Sequence, residues 1–142
     1  KPKPTRPSYN YIGYIEIPSI NLKKGLVDKN SVYNNVNYNV QIMKESSYPD
    51  VDKGLFILAA HNGTCYNCYF KHLDNIKNND LIYVNYKNKK YTYKVTKKYT
   101  VNKTGYVSIY RNNDVTSLAL VTCTWGTKNK QTVVIAELIN KE

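Results

Sequence analysis

Arginine is almost missing from a strongly basic chain. The 142 residues carry 21 Lys plus Arg against 10 acids, for a formal net charge of +11, yet only Arg6 and Arg111 are arginine. Sequence-specific DNA readers rely on the Arg fork against guanine. The lysines are also spread along the chain rather than gathered on one helix, so nucleic acid is not an expected partner. A positive field of this kind suits an anionic envelope surface. Cysteine is scarce too: Cys65, Cys68 and Cys123 are all there is. Three are too few to build a disulfide scaffold, and a chain of this length buries roughly two-thirds of its unfolded surface without one. No run of 18 apolar residues occurs, which excludes a membrane-spanning helix within these residues.

Phe and Trp are nearly absent as well, at two and one, whereas Tyr reaches fifteen. Tyrosine suits half-buried strand faces, where the ring packs and the hydroxyl stays wet. With 42% apolar residues the chain is not disordered. Three of five prolines (Pro2, Pro4, Pro7) fall in residues 1–10, which read as an extended Pro/Lys linker ahead of one domain over 11–142.

Strand signals follow. They cover Tyr11 to Ile17, closed by Pro18, then Ile20 to Val27, and an Asn-rich stretch from Val32 to Met43 whose type stays open. Gly54 to Ala60 and Ser117 to Thr122 are continuous apolar runs of strand length, expected to be buried on both faces. Tyr69 to Ile76 fits a short helix with Phe70, Leu73 and Ile76 on one face. Leu81 to Tyr86, a turn over Lys87 to Lys90, and Tyr91 to Val101 make a hairpin, and Thr132 to Leu138 is the last strand. The expected fold is mostly β, a barrel or sandwich with one or two short helices.

Two reactive side chains stand at the ends of the two most apolar strands, His61 and Cys123. A rigid β scaffold that presents a thiol and an imidazole at its rim has the groups for acyl transfer. The thiolate attacks a carbonyl and the imidazolium protonates the departing amine. The same pattern also fits a buried core thiol and a satisfied histidine, and pattern alone leaves both open.

The local motifs carry more. Leu120-Val121-Thr122-Cys123-Thr124 resembles the Leu-x-Thr-Cys motif of sortases, and Ala59-Ala60-His61-Asn62-Gly63 is similar to their strand-end His-x-Gly segment. Further likenesses, in the family's order, are Ile15-Glu16-Ile17-Pro18-Ser19-Ile20, Tyr48-Pro49 with Gly54, Tyr69-Phe70 with Leu73, and Asn79-Asp80 with Ile82-Tyr83-Val84. The resemblance spans about Tyr11 to Leu138. It implies an eight-stranded sortase-type β-barrel and a cysteine transpeptidase that needs no cofactor. Cys123 would open an Leu-Pro-x-Thr-Gly-like sorting signal through a thioester, and a cell-wall peptide or pilin amine would resolve it. It also implies extracytoplasmic placement in a Gram-positive cell, membrane-anchored through a segment N-terminal to this chain. Class is open: length and the lack of a long insertion before the Cys strand suggest a housekeeping-like or D-like plan, and the short loop after Cys123 equally suits a B-like one. No acidic cluster matches the calcium-responsive members, so calcium independence is expected.

One departure stands out. Sortases usually carry an Arg on the last strand that binds the peptide and steadies the oxyanion, and here that place reads Gln131. Its amide donates hydrogen bonds without the charge or fork of guanidinium. Gln131 itself, Lys128 or Lys130, or Arg111 reaching in from before the Cys strand are the candidate replacements. A weakly catalytic, peptide-binding sortase-like domain is the alternative reading. Thr122, Asn62 and Trp125 are the residues expected at the substrate. Trp125 would wall the groove or simply cap the barrel end, and Asn62 would help orient the imidazole.

His61-x3-Cys65-x2-Cys68-x3-His72 has a spacing that four zinc ligands can adopt, and Cys65 and Cys68 could alternatively form a redox pair or a local disulfide. Zinc ligation would consume His61, and a second, distant ligand pair is lacking. The favoured expectation is no metal and two incidental cysteines.

Overall fold

A computed structural model describes residues 9–123 and 129–142. Its strands are β1 (Tyr11–Ile17), β2 (Leu22–Val27), β3 (Gln41–Ile42), β4 (Leu55–Ala59), β5 (Leu81–Tyr86), β6 (Lys89–Asn102), β7 (Ser117–Cys123) and β8 (Lys130–Lys141). The only helical pieces among the described residues are 3₁₀ turns at Pro18–Ile20 and Leu73–Asn75. The helix expected over Tyr69 to Ile76 is therefore reduced to its last turn. Phe70, Leu73 and Ile76 are still fully buried, so the apolar spacing served packing without a regular helix.

One sheet holds all eight strands in the order β2-β1-β5-β6-β8-β7-β4-β3. Its edge strands β2 and β3 come back together, which nearly closes the sheet into a barrel. The Lys29 ammonium donates to the Ser46 carbonyl, and the Tyr48 hydroxyl accepts from Lys29 N at 3.0 Å, stitching that seam. All pairings are antiparallel except β4 with β7, which run parallel from Leu55↔Ser117 to Ala59↔Val121.

Local chemistry explains the corners. Lys87 and Asn88 both have positive φ, 50° and 64°, the left-handed pair of a two-residue hairpin turn whose twist matches the β5–β6 strands. At Gly13 a Cβ would run into the Asn85 carbonyl across the β1–β5 pair, so only glycine admits that approach. The Asn-rich stretch resolves into turns held by amide side chains. Asn34 donates to the carbonyls of Lys29 (3.0 Å) and Ile42 (2.8 Å) and accepts from Ile42 N at 2.7 Å. Amides that bond the backbone this way compete with regular structure, which is why no long strand forms before Gln41.

The barrel core gathers Ile15, Ile17, Phe56, Leu58, Ile82, Leu118 and Leu120 with the fully buried rings of Tyr91 and Tyr93. These two tyrosines lie deeper than the half-buried position their residue type suggests. A second cluster, Ile57, Ala119, Val121, Val133 and Ile135, lies on the opposite face of β4, β7 and β8. The connection between β6 and β7 covers it through Val107 and Ile109. Strands buried on both faces read as unbroken apolar runs, and this accounts for both runs noted in the sequence.

Candidate functional site

The parallel β4–β7 pair places the two reactive positions. Ala59 pairs with Val121, and Ala60 N donates to the Val121 carbonyl at 3.3 Å. Two residues beyond each partner stand His61 and Cys123. The register thus delivers both to one end of the barrel. Thr122 ties that end together: it is buried, and its hydroxyl donates to the Ala60 carbonyl at 2.7 Å. The side chain bonds the strand that carries Cys123 to the strand that carries His61.

His61 is half-buried, and its Nε2 lies 3.1 Å from Asn37 Oδ1. With the proton on Nε2 the ring donates to that amide oxygen, and imidazolium does so as well. The Asn37 carbonyl accepts from the Asn67 amide at 2.8 Å, and the His61 carbonyl accepts from Phe70 N at 3.1 Å. Asn62, the sequence's choice for this task, lines a shallow hollow with Gly63, Thr64, Lys71 and His72. Sequence reasoning missed Asn37 because it lies 24 positions before His61, in the stretch whose structure stayed open.

Cys65 and Cys68 form a disulfide. The expectation of two incidental cysteines is overturned, and the zinc alternative falls with it, since disulfide sulfurs are not thiolate ligands. A four-residue turn explains the pairing: Cys68 N donates to the Cys65 carbonyl at 3.2 Å, which brings the two Cα atoms to 5.1 Å, a separation a disulfide spans.

Gln131 opens onto the same end. From β8 it is the register partner of Cys123 on β7 and of Val101 on β6. Beside it runs a groove of about 480 Å³ lined by Met43, Ile57, Ala59, Tyr106, Ile109 and Val121, among others. Tyr99 anchors the far wall, donating from its hydroxyl to the Ser108 carbonyl (2.7 Å) and accepting from Tyr110 N (2.8 Å). Burial, more than the neighbouring Tyr110, pushes the Tyr99 phenol above its ordinary pKa, although the Tyr110 N–H bond works against it.

Arg111 is elsewhere. Its guanidinium donates to the carbonyls of Lys53 (3.1 Å), Gly54 (3.3 Å) and Val115 (3.2 Å) and to the Ser117 hydroxyl (3.4 Å). Those groups lie where β4 and β7 begin, whereas Cys123 ends β7. Six residue steps along the strand take Ser117 to Cys123, roughly 20 Å. Arg111 is thus a clamp at the opposite end of the barrel and no substitute for the missing arginine. Trp125 and Lys128 lie outside the described residues. Lys130 begins β8 and is exposed.

A family model described as Sortase domain matches residues 15–139. The chain belongs to the sortase family. Solved sortases share its barrel. Sortase C1 of Streptococcus agalactiae is 29% identical, with a TM-score of 0.77 over 92% of this chain and 68% of that one. Sortase A of Listeria monocytogenes is 26% identical, with a TM-score of 0.77 over 93% and 89%. Sortase C of Streptococcus pneumoniae, at 21% identity, superposes with a TM-score of 0.80 over 94% and 69%. Comparison with curated protein sequences returns no match. For this sortase, family and fold support a sortase-type transpeptidase, and the eight-stranded, nearly closed barrel is the one its motifs implied.

Proposed function

We propose that this sortase opens an Leu-Pro-x-Thr-Gly-like sorting signal with Cys123 as nucleophile and His61 as the proton-handling group. The observation that carries the reading is the parallel β4–β7 register, which brings His61 and Cys123 to one end of the barrel beside an apolar groove. The Cys123 thiolate adds to the Thr carbonyl. The Thr–Gly C–N bond then breaks, and His61 gives its proton to the departing amine. An incoming amine from a cell-wall peptide or pilin attacks the thioester, loses its proton to His61, and releases the thiolate. Gln131, across from Cys123 in the ladder, is the residue we assign to steady the oxyanion through its NH2.

The apolar groove suits the Leu-Pro half of such a peptide. Action outside a Gram-positive cell, with membrane anchoring through a preceding segment, is part of the same proposal, and the +11 charge suits an anionic envelope. A second reading, a weakly catalytic peptide-binding domain, is favoured by the neutral Gln131. Intact-mass measurement after incubation with a panel of sorting-signal peptides separates them. An acyl adduct on the wild type that disappears in Cys123→Ala and falls in His61→Ala supports the transpeptidase. Binding of a peptide to folded protein without any adduct supports the second reading.

A further inference from the structure

The Cys65–Cys68 disulfide sits four residues past His61 and encloses Asn67. That residue is the far end of a short hydrogen-bonded chain. The Asn67 amide donates to the Asn37 carbonyl at 2.8 Å, and the Asn37 side-chain oxygen stands 3.1 Å from His61 Nε2. Asn37 is held from behind as well, its own N–H donating to Asn35 Oδ1 at 2.8 Å. Within that turn Cys68 N also donates to the Cys65 carbonyl at 3.2 Å. Cys68 is buried, whereas Thr64, Cys65 and Tyr66 are exposed, Tyr66 to 91%.

We propose that the Cys65–Cys68 disulfide is a positioning element for His61, acting through Asn67 and Asn37, so that the redox state of this pair sets how well the imidazole is aimed. A staple across four residues fixes the Asn67 backbone, and a fixed Asn67 holds the Asn37 peptide whose side chain meets the ring. Opening the staple frees the exposed half of the turn and lets that contact lapse. The co-reactant is a dithiol. Its thiolate attacks the exposed Cys65 sulfur, and Cys68 leaves as a thiolate that takes up a proton. The second thiol then closes the reductant's own disulfide and releases Cys65. Two electrons pass to the protein pair and the dithiol is oxidised. Cys123 has to be reduced to act as the proposed nucleophile, whereas this pair has to be oxidised to aim His61. The catalytic consequence rests on the proposed role of His61; the positional one does not.

The test reads the His61 ring directly. In the whole chain labelled with ¹⁵N-histidine, the His61 Nε2 resonance is recorded at one fixed pH before and after a dithiol. The same spectra are taken for Asn67→Ala, for Cys65→Ser/Cys68→Ser, and for Asn37→Ala as the reference for a lost contact. Reduction and Asn67→Ala are expected to move the resonance toward that reference, and reduction adds nothing to Asn67→Ala, because both cut the same chain. Measured anaerobically without added reductant, the serine pair and Asn67→Ala are each expected to lower kcat for a sorting-signal peptide about tenfold, as misaimed groups do, with KM little changed. A resonance unmoved by reduction overturns the proposal. So does a reduction effect that persists in full in Asn67→Ala. If no peptide is turned over at all, the transpeptidase reading fails, while the resonance arm still decides this one.

Discussion

The Thr122 hydroxyl donates a 2.7 Å hydrogen bond to the carbonyl of Ala60, 62 positions away in the chain. It joins the residue before Cys123 to the residue before His61, at the point where the parallel β4–β7 ladder runs out. The proposed mechanism has a thiol and an imidazole act on one peptide bond, which needs their strand ends held in a constant relation, and this bond spans that gap from inside the barrel.

Thr122→Val keeps the shape and removes the donor. Loss of one buried bond is expected to cost about 1 kcal/mol of stability, read as a lower urea midpoint. Peptide turnover is expected to fall further than stability does, because the two strand ends lose their tie, whereas Thr122→Ser retains most of both. Turnover in Thr122→Val equal to that of wild type, measured well below its unfolding transition, would show the bond to be structural only.

Gln131 stands opposite Cys123 in the β7–β8 ladder, the place where the sortase resemblance implies arginine. A charged, forked donor there is expected to steady the oxyanion better than an amide. Gln131→Arg should raise kcat/KM for the best peptide by about tenfold, and Gln131→Ala should lower it. Arg111→Ala serves as the contrast. Stripping four hydrogen bonds from the start of β4 and β7 is expected to lower stability by about 2 kcal/mol while leaving kcat/KM unchanged. A catalytic loss in Arg111→Ala without loss of stability would reverse the assignment.

Tyr93 is fully buried, and its hydroxyl has no hydrogen-bond partner among the described residues. Burial, and to a lesser degree Tyr91, holds its phenol far above the ordinary value near 10. Because the folded pKa is raised, its contribution to stability is complete below pH about 10 and is lost as pH rises from there toward the folded value. Tyr93→Phe removes both the unpartnered hydroxyl and this alkaline loss. Urea unfolding at pH 7 should show it more stable by about 1 kcal/mol, and the advantage should widen above pH 10. A midpoint lower than wild type at both pH values would mean the hydroxyl is satisfied.

The strand runs were legible because period and composition are local properties. Leu81 to Tyr86 and Tyr11 to Ile17 match the sequence reading end for end, and the turn read over Lys87 to Lys90 narrows to Lys87 and Asn88, with Asn88 the residue suited to the left-handed region. The Tyr69 to Ile76 helix misled because its apolar spacing was real but its backbone bonds went to a looser chain of turns. Arg111 misled because sequence nearness to the Cys strand says nothing about which end of that strand a side chain reaches.

By itself the chain's sequence determined the fold class and the family, since burial on both faces and short motifs are written in consecutive residues, and it set a thiol and an imidazole at the ends of its two most apolar strands. Only the tertiary structure decided what surrounds them. Asn37 meets His61, Thr122 meets Ala60, Cys65 meets Cys68, and Arg111 turns to the far end of the barrel. The Asn37–His61 and Thr122–Ala60 contacts and the Arg111 bonds to Lys53 and Gly54 join residues 24 to 62 positions apart. They exist only once β4 and β7 lie parallel and the loops pack across their ends, because strand register brings distant residues together and no local pattern encodes it.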